Sequence, residues 1–174
     1  MLNSHNRDAS LIEDQVAELL KSRGLTISVA EACTAGMIAT SLTRVAGSSS
    51  YFVGGVLAYA NEVKERILGV PKEMMIRDGS VAEATALAMA RGVKKLLGTD
   101  LAVAATGVMG PGGATPAKPV GLFFLAVAGP GDSEKCRGYL FKGDRSQKRE
   151  EASEEALKLV REVVSTPMEE SRPR

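Results

Sequence analysis

The stretch DLAVAATG, residues 100–107, runs from Asp100 through five consecutive apolar residues to Thr106 and Gly107. It is too short for a helix of ordinary length. It also lacks the apolar–polar alternation of a strand with one wet face. A run of small apolar residues like this reads as a central strand covered on both sides, and both sides of a sheet are covered when helices pack on each. That reading decides the fold: a three-layer α/β/α domain.

Working outward from residue 100, the preceding segment has Ala86, Ala90, Val93 and Leu97 on one helical face, and Ser80 to Glu83 in front of it reads as a capping box. Downstream, VGLFFLAVAG (120–129) and CRGYLFKG (136–143) read as two strands with PGDSEK (130–135) as the hairpin turn between them. Upstream, LTISVA (25–30) is a short buried strand. YFVGGVLAYA (51–60) is a strand whose glycines permit a bulge or a close approach. Helices separate these strands. One starts at a Ser10–Glu13 capping box and carries Ile12, Val16, Leu19 and Leu20 to about Lys21. A second carries Ile38, Leu42 and Val45 and ends at Gly47. Asn61 is placed to cap a third, Glu62 to Leu68, closed by Gly69, and Pro71 suits the first turn of another. Asp144 caps the last helix, with Ala152, Ala156, Leu159, Val160 and Val163 inward. Helices alternate with strands early and a hairpin comes late, so the sheet is expected to be mixed. Residues 10–165 form one domain, with residues 1–9 and 166–174 expected as flexible ends.

The 174 residues suffice to bury a substantial core. With 22 basic against 21 acidic residues the net charge is +1, which carries no nucleic-acid footprint and no membrane-surface patch. No apolar run is long enough to span a bilayer, and the polar start MLNSHNRDAS has no signal-peptide core. Two distant cysteines, Cys33 and Cys136, point to a reducing cytoplasm as the default location. With a single histidine, His5, no histidine triad or histidine-rich metal site is expected.

Sites in open α/β sheets form where strands end and helices begin, and several such places carry reactive side chains. After the first strand come Glu31, Ala32, Cys33 and Thr34. Cys33 at a helix N-terminus could have a lowered pKa and act as a nucleophile; the plainer reading is a small buried hydrophobe. Thr34 reads as the helix cap. After the next strand, Lys64 falls in the first helical turn, where the dipole, joined by partial burial, would lower an amine pKa and prepare a general base; the plainer reading is a solvated surface lysine. TGVMGPGGATPAKPVG (106–121) holds five glycines and three prolines after the central strand. It matches neither a Walker loop nor a dinucleotide fingerprint. Its glycines could form an anion-binding nest, or the segment could be a structural crossover or a lid. In KGDRSQ, Arg145 opens the last helix, where a cation is disfavoured unless a phosphate meets it; from spacing alone the plainer reading is an ordinary surface arginine.

Five stretches taken in order, AEACTAG (30–36), AGSSSYFVGGVLAYANEVK (46–64), GSVAEATA (79–86), ATGVMGPGGATPAKPVG (105–121) and FKGDR (141–145), resemble the CinA C-terminal domain family. The resemblance covers residues 10–165 and looks like the stand-alone form. Active members are nicotinamide mononucleotide amidohydrolases. They hydrolyse the carboxamide to give nicotinate mononucleotide and ammonia, with a serine nucleophile, a lysine base and no metal or cofactor. The resemblance implies Lys64 as the base, Tyr59 to orient groups or relay protons, Thr106 at the next active-site position, and Arg145 on the nucleotide phosphate. Gly107, Gly110, Gly112 and Gly113, with Ser48 and Ser49, are further candidates for substrate contact. The implied partner is a small-molecule nucleotide, and a homo-oligomer is consistent with the family.

At two positions the chain departs from the family pattern Ala-Glu-Ser-Cys-Thr-Gly-Gly: Ala32 stands where the serine is expected, and Ala35 replaces a glycine. A methyl group cannot attack a carbonyl. Two readings follow. In one the domain remains an amidohydrolase, with Thr34, Cys33 or a hydroxyl from Ser48–Ser50 standing in, or with water activated by Lys64. In the other it is a catalytically silent pyridine-nucleotide-binding module. A third takes Ala32 as an engineered change that traps a complex.

Overall fold

Glycine is tolerated mid-strand where two backbones meet closely, and the strand after the first crossover shows why this chain needs it. In the computed structural model, which describes residues 11–166, a Cβ on Gly55 would stand 2.3 Å from Val29 Cγ2 and 2.7 Å from the Val29 carbonyl oxygen. The elements in order are α1 (Ile12–Arg23), β1 (Ile27–Glu31), α2 (Met37–Thr43), β2 (Phe52–Leu57), α3 (Asn61–Arg66), α4 (Lys72–Asp78), α5 (Glu83–Leu97), β3 (Leu101–Gly107), β4 (Leu122–Ala128), β5 (Glu134–Leu140) and α6 (Arg145–Ser165). The sheet order is β2-β1-β3-β4-β5, with β1, β2 and β3 parallel and β4 and β5 antiparallel. The expected mixed sheet is present. β2 carries one extra residue, because Ile27 pairs with Phe52 and Ser28 with Gly54, which is the glycine-permitted bulge.

Side-chain size divides the two faces. Ile27, Val29, Val103, Phe123, Leu125 and Val127 pack with α1, α2 and α6. Ala30, Ala102, Ala104, Ala126 and Ala128 point the other way, toward α5 and the α3–α4 segment. Small residues on that face let α5 sit close to the sheet. Every residue from Leu101 to Ala105 is fully buried, as the opening stretch predicts.

Three capping assignments are corrected. α5 starts after Ala82 with no side-chain cap; Thr85 Oγ1 donates to Gly79 O instead, and Ser80 offers its carbonyl to Thr106. α3 starts at Asn61 itself, so that side chain is free to face Lys64. α2 follows Gly36 rather than Thr34, and it stops at Thr43, not at Gly47. Thr40 and Thr43 return their hydroxyls to the carbonyls of Gly36 and Ala39, a bond that competes with helix continuation. The Asp144 cap is present, with Gln147 completing a capping box. The cap assigned to Ser10 and the ends at 1–9 and 167–174 lie outside the described residues; Thr166 closes α6 by donating its amide to Glu162 O. No helix among the described residues is long and apolar enough to cross a membrane.

Candidate functional site

The chain leaves β1 for β2 across one face and leaves β2 for β3 across the other. The C-terminal ends of β1 and β3 therefore flank a crevice from which the connections diverge, the usual place for a ligand in such sheets. A cleft of about 290 Å³ opens there.

Glu31, which does not line the cleft, holds the turn that carries Ala32 and Cys33 into its wall. This last residue of β1 is fully buried, and its carboxylate accepts from the amides of Gly36 (2.9 Å), Ile38 (3.2 Å) and Ala39 (2.9 Å). An anion on the free amides of a helix start satisfies donors that have no intrahelical partner. The turn it pins passes through left-handed backbone at Ala35 (φ 51°) and Gly36 (φ 97°). A Cβ in that region costs about 1 kcal/mol or more, so glycine suits position 35 better than the alanine present. The amide of Ala32 donates to Ala105 O (3.0 Å), and Arg149 Nε donates to Cys33 O (3.1 Å). The methyl of Ala32 is thereby held at the cleft wall.

Lys64 stands on the same wall. It is 3% exposed, and Nζ donates to Asn61 Oδ1 (3.3 Å) and to the Tyr59 carbonyl (3.5 Å). Burial lowers its pKa below the usual lysine value, opposed by the Cys33 thiol and Glu62. Desolvation, which the sequence reading named together with the helix dipole, is the leading cause. The unfolded chain holds this proton up to the ordinary lysine pKa and the folded chain releases it earlier. Stability therefore rises with pH across that window. Lys64→Met should stabilise the fold most at neutral pH and below, with the gain shrinking toward pH ~10; urea midpoints of both proteins across that range measure it. A difference that is flat with pH refutes the buried-ammonium assignment.

Cys33 behaves as the plainer reading expects. Burial pushes its thiol up to about 12, so it is no thiolate nucleophile. Thr34 is buried behind the wall, and its hydroxyl has no hydrogen-bond partner among the described residues. Thr106, also buried, donates its hydroxyl to Ser80 O (2.8 Å). Tyr59 lines the mouth and is 64% exposed. Ser48 and Ser49 are corrected. Their 3-10 turn (Ser48–Ser50) leads into β2 and so lies at the start of the parallel strands, the end away from the cleft.

The glycine-rich segment is tied down rather than loose. Lys148 Nζ donates to Met109 O (3.1 Å), Arg145 Nη1 to Gly110 O (2.6 Å), and Lys118 Nζ to Asp78 O. Gly107 is needed for packing, because a Cβ there would meet the Phe123 ring at 2.6 Å. The cleft thus brings together Ala32, Cys33, Tyr59, Lys64, Thr106, Gly107, Gly110, Gly112, Gly113 and Arg145, and excludes Thr34, Ser48 and Ser49. Sequence reasoning missed Asn61 as an acceptor for Lys64, and Lys148 and Arg149 as loop anchors. The signal for the last two was their spacing, three and four residues after Arg145 on one helical face.

Residues 9–164 match the CinA C-terminal domain family. A CinA-like protein of Mycolicibacterium vanbaalenii is 46% identical over 158 residues, covering 91% of this chain and 37% of its own length. A CinA-like protein of Geotalea daltonii is 45% identical over 163 residues, covering 92% of this chain and 39% of its own. The chain thus spans under two-fifths of the length of these curated relatives. Among solved structures, the competence/damage inducible protein CihA from Agrobacterium tumefaciens superposes with a TM-score of 0.82 at 35% identity, covering 87% of this chain and 94% of that one. A competence-damaged protein (CinA) superfamily protein from Enterobacter cloacae gives 0.85 at 26% identity, covering 95% and 99%. By sequence, by fold and by the extent of the match, this chain belongs to the CinA C-terminal domain family.

Proposed function

We propose that the cleft is a nicotinamide mononucleotide site of the amidohydrolase type, with the carboxamide toward Lys64 and the phosphate toward Arg145, and with the covalent route closed at Ala32. One observation carries the reading: Lys64 and Arg145, far apart in the chain, line a single cleft. The family reaction replaces the carboxamide nitrogen with a water oxygen, giving nicotinate mononucleotide and ammonia. With a methyl at position 32 there is no hydroxyl to form an acyl intermediate. The replacements weighed from sequence do not serve. Cys33 is held as a neutral thiol, Thr34 is buried behind the wall, and Ser48 and Ser49 sit at the other end of the sheet. The protein therefore acts chiefly as a pyridine-nucleotide-binding domain. The remaining hydrolytic route is direct attack by water. Lys64, favoured for that role by its depressed pKa, takes the water proton and returns it to the departing ammonia.

The test is titration calorimetry with nicotinamide mononucleotide. Binding by the wild-type chain is expected, weakened about tenfold or more in Arg145→Ala, because a guanidinium–phosphate pair is charge-assisted. Arg145 also holds the Gly110 carbonyl, so Arg145→Lys, which keeps the charge, should recover part of the loss. No measurable binding by the wild-type chain refutes the reading.

A further inference from the structure

We infer that the preferred occupant of this cleft is a nucleotide that is anionic at both ends, a phosphate at one and a carboxylate at the other, rather than the neutral carboxamide. This rests on the reading that a pyridine nucleotide enters with its phosphate toward Arg145. The basis is charge. Among the described residues no aspartate or glutamate lines the cleft, whereas Lys64 and Arg145 both do. The carboxylates nearest in the chain are engaged elsewhere or stand outside it. Glu31 spends both oxygens on the amides of α2, Asp144 accepts from the Gln147 amide, and Glu62 is exposed on the first turn of α3. The Cys33 thiol, which packs beside Lys64, stays protonated.

Lys64 is therefore a nearly buried amine with no anionic partner in its site. An ammonium has three N–H groups. Two reach the neutral oxygens of Asn61 and Tyr59, at the long distances of 3.3 and 3.5 Å, leaving one for the cleft. Ala32 supplies no oxygen to meet it. A ligand carboxylate would accept that bond with full charge assistance. A carboxamide offers only a neutral carbonyl and brings an NH₂ group that finds no acceptor on an ammonium. Burial alone disfavours the charged amine. A bound carboxylate reverses this, so the acid should bind together with a proton wherever the free amine has begun to titrate. The groups acting on Lys64 are Cys33, from the β1–α2 turn, and Glu62, on its own helix. The same chain with a serine hydroxyl at position 32 would have another acceptor near Lys64, so the preference is a consequence of Ala32.

The experiment is calorimetry on the full chain with nicotinate mononucleotide and nicotinamide mononucleotide, repeated across pH and in buffers of different ionisation enthalpy. The acid is expected to bind about tenfold tighter or more at neutral pH, where the amine is charged, with proton uptake setting in as pH rises into the range where the free amine titrates, and its advantage should shrink beyond that range. The amide should show neither proton uptake nor that slope. Lys64→Gln should remove the advantage. Proton uptake in the wild-type chain decides the matter even if that variant does not fold. Amide binding as tight as acid binding, with no proton uptake, overturns the inference and leaves the nucleotide reading standing. Failure of both ligands to bind overturns the two together.

Discussion

Ala32→Ser is expected to raise ammonia release from nicotinamide mononucleotide by about 10⁴-fold or more, since losing the nucleophile of a hydrolytic set costs about that much. The substitution adds one oxygen to a Cβ already placed at the cleft wall. The backbone that carries it is fixed independently of the side chain, by the bond of the Ala32 amide to Ala105 O and by Arg149 on the Cys33 carbonyl. Lys64 lines the same cleft and can take the hydroxyl proton as the oxygen attacks the carboxamide carbon. Ammonia then leaves from the tetrahedral adduct, and water hydrolyses the acyl-enzyme. In the Ala32→Ser background, Lys64→Met should return the rate to the level of the wild-type chain. An enzyme-coupled ammonia assay, run at substrate concentrations that calorimetry shows to be saturating, reads both steps. A serine variant that binds the nucleotide and still releases no ammonia would refute Lys64 as a base positioned for that residue.

What the sequence revealed depended on how local the cause was. The central strand was legible because burial on both faces leaves a mark in the residues themselves: Leu101 to Ala105 contain nothing polar. The division of the sheet into a bulky face and an alanine face was equally present in the alternation of β3 and β4. The meeting of Lys64 with Arg145 was not, because it depends on the order β2-β1-β3, which no local pattern encodes. The resemblance brought the two residues together before the geometry did. Ser48 and Ser49 failed for a topological reason: they precede a strand, while the crevice lies where strands end. The caps assigned to Ser80, Asn61 and Thr34 failed because the helices start elsewhere: Asn61 is itself the first residue of α3 and accepts from Lys64, α2 starts after Gly36 and leaves the Thr34 hydroxyl unpaired, and α5 starts after Ala82 with Thr85 donating to Gly79 O. The shift of Lys64 followed the same rule. Its direction was legible, but its main cause, burial, belongs to the assembled cleft.

Glu31, noted in the sequence beside Ala32 and Cys33 but not as a support for the site, carries the largest expected effect on stability. Glu31→Ala should destabilise the fold by about 3 kcal/mol, because the buried amide of Ile38 and the part-buried amides of Gly36 and Ala39 lose their acceptor, and an orphaned buried donor costs about 1–3 kcal/mol. The loss should appear as a fall of about 10 °C in Tm, taking about 2–4 °C per kcal/mol for a domain of this size, with a parallel drop in the urea midpoint. Glu31→Gln keeps an acceptor oxygen but gives up the charge and turns an NH₂ group toward amide donors. It should therefore fall between the wild type and the alanine variant. The effect should also reach function, since the carboxylate fixes the turn that carries Ala32 and Cys33. In the Ala32→Ser background, Glu31→Gln should lower kcat more than it weakens nucleotide binding, because misplacing an attacking group by a fraction of an ångström penalises the reaction more than the encounter. A Glu31→Ala protein within about 1 kcal/mol of wild type would mean that water replaces the carboxylate at the start of α2. The turn would then be held by Arg149 and the strand pairing alone.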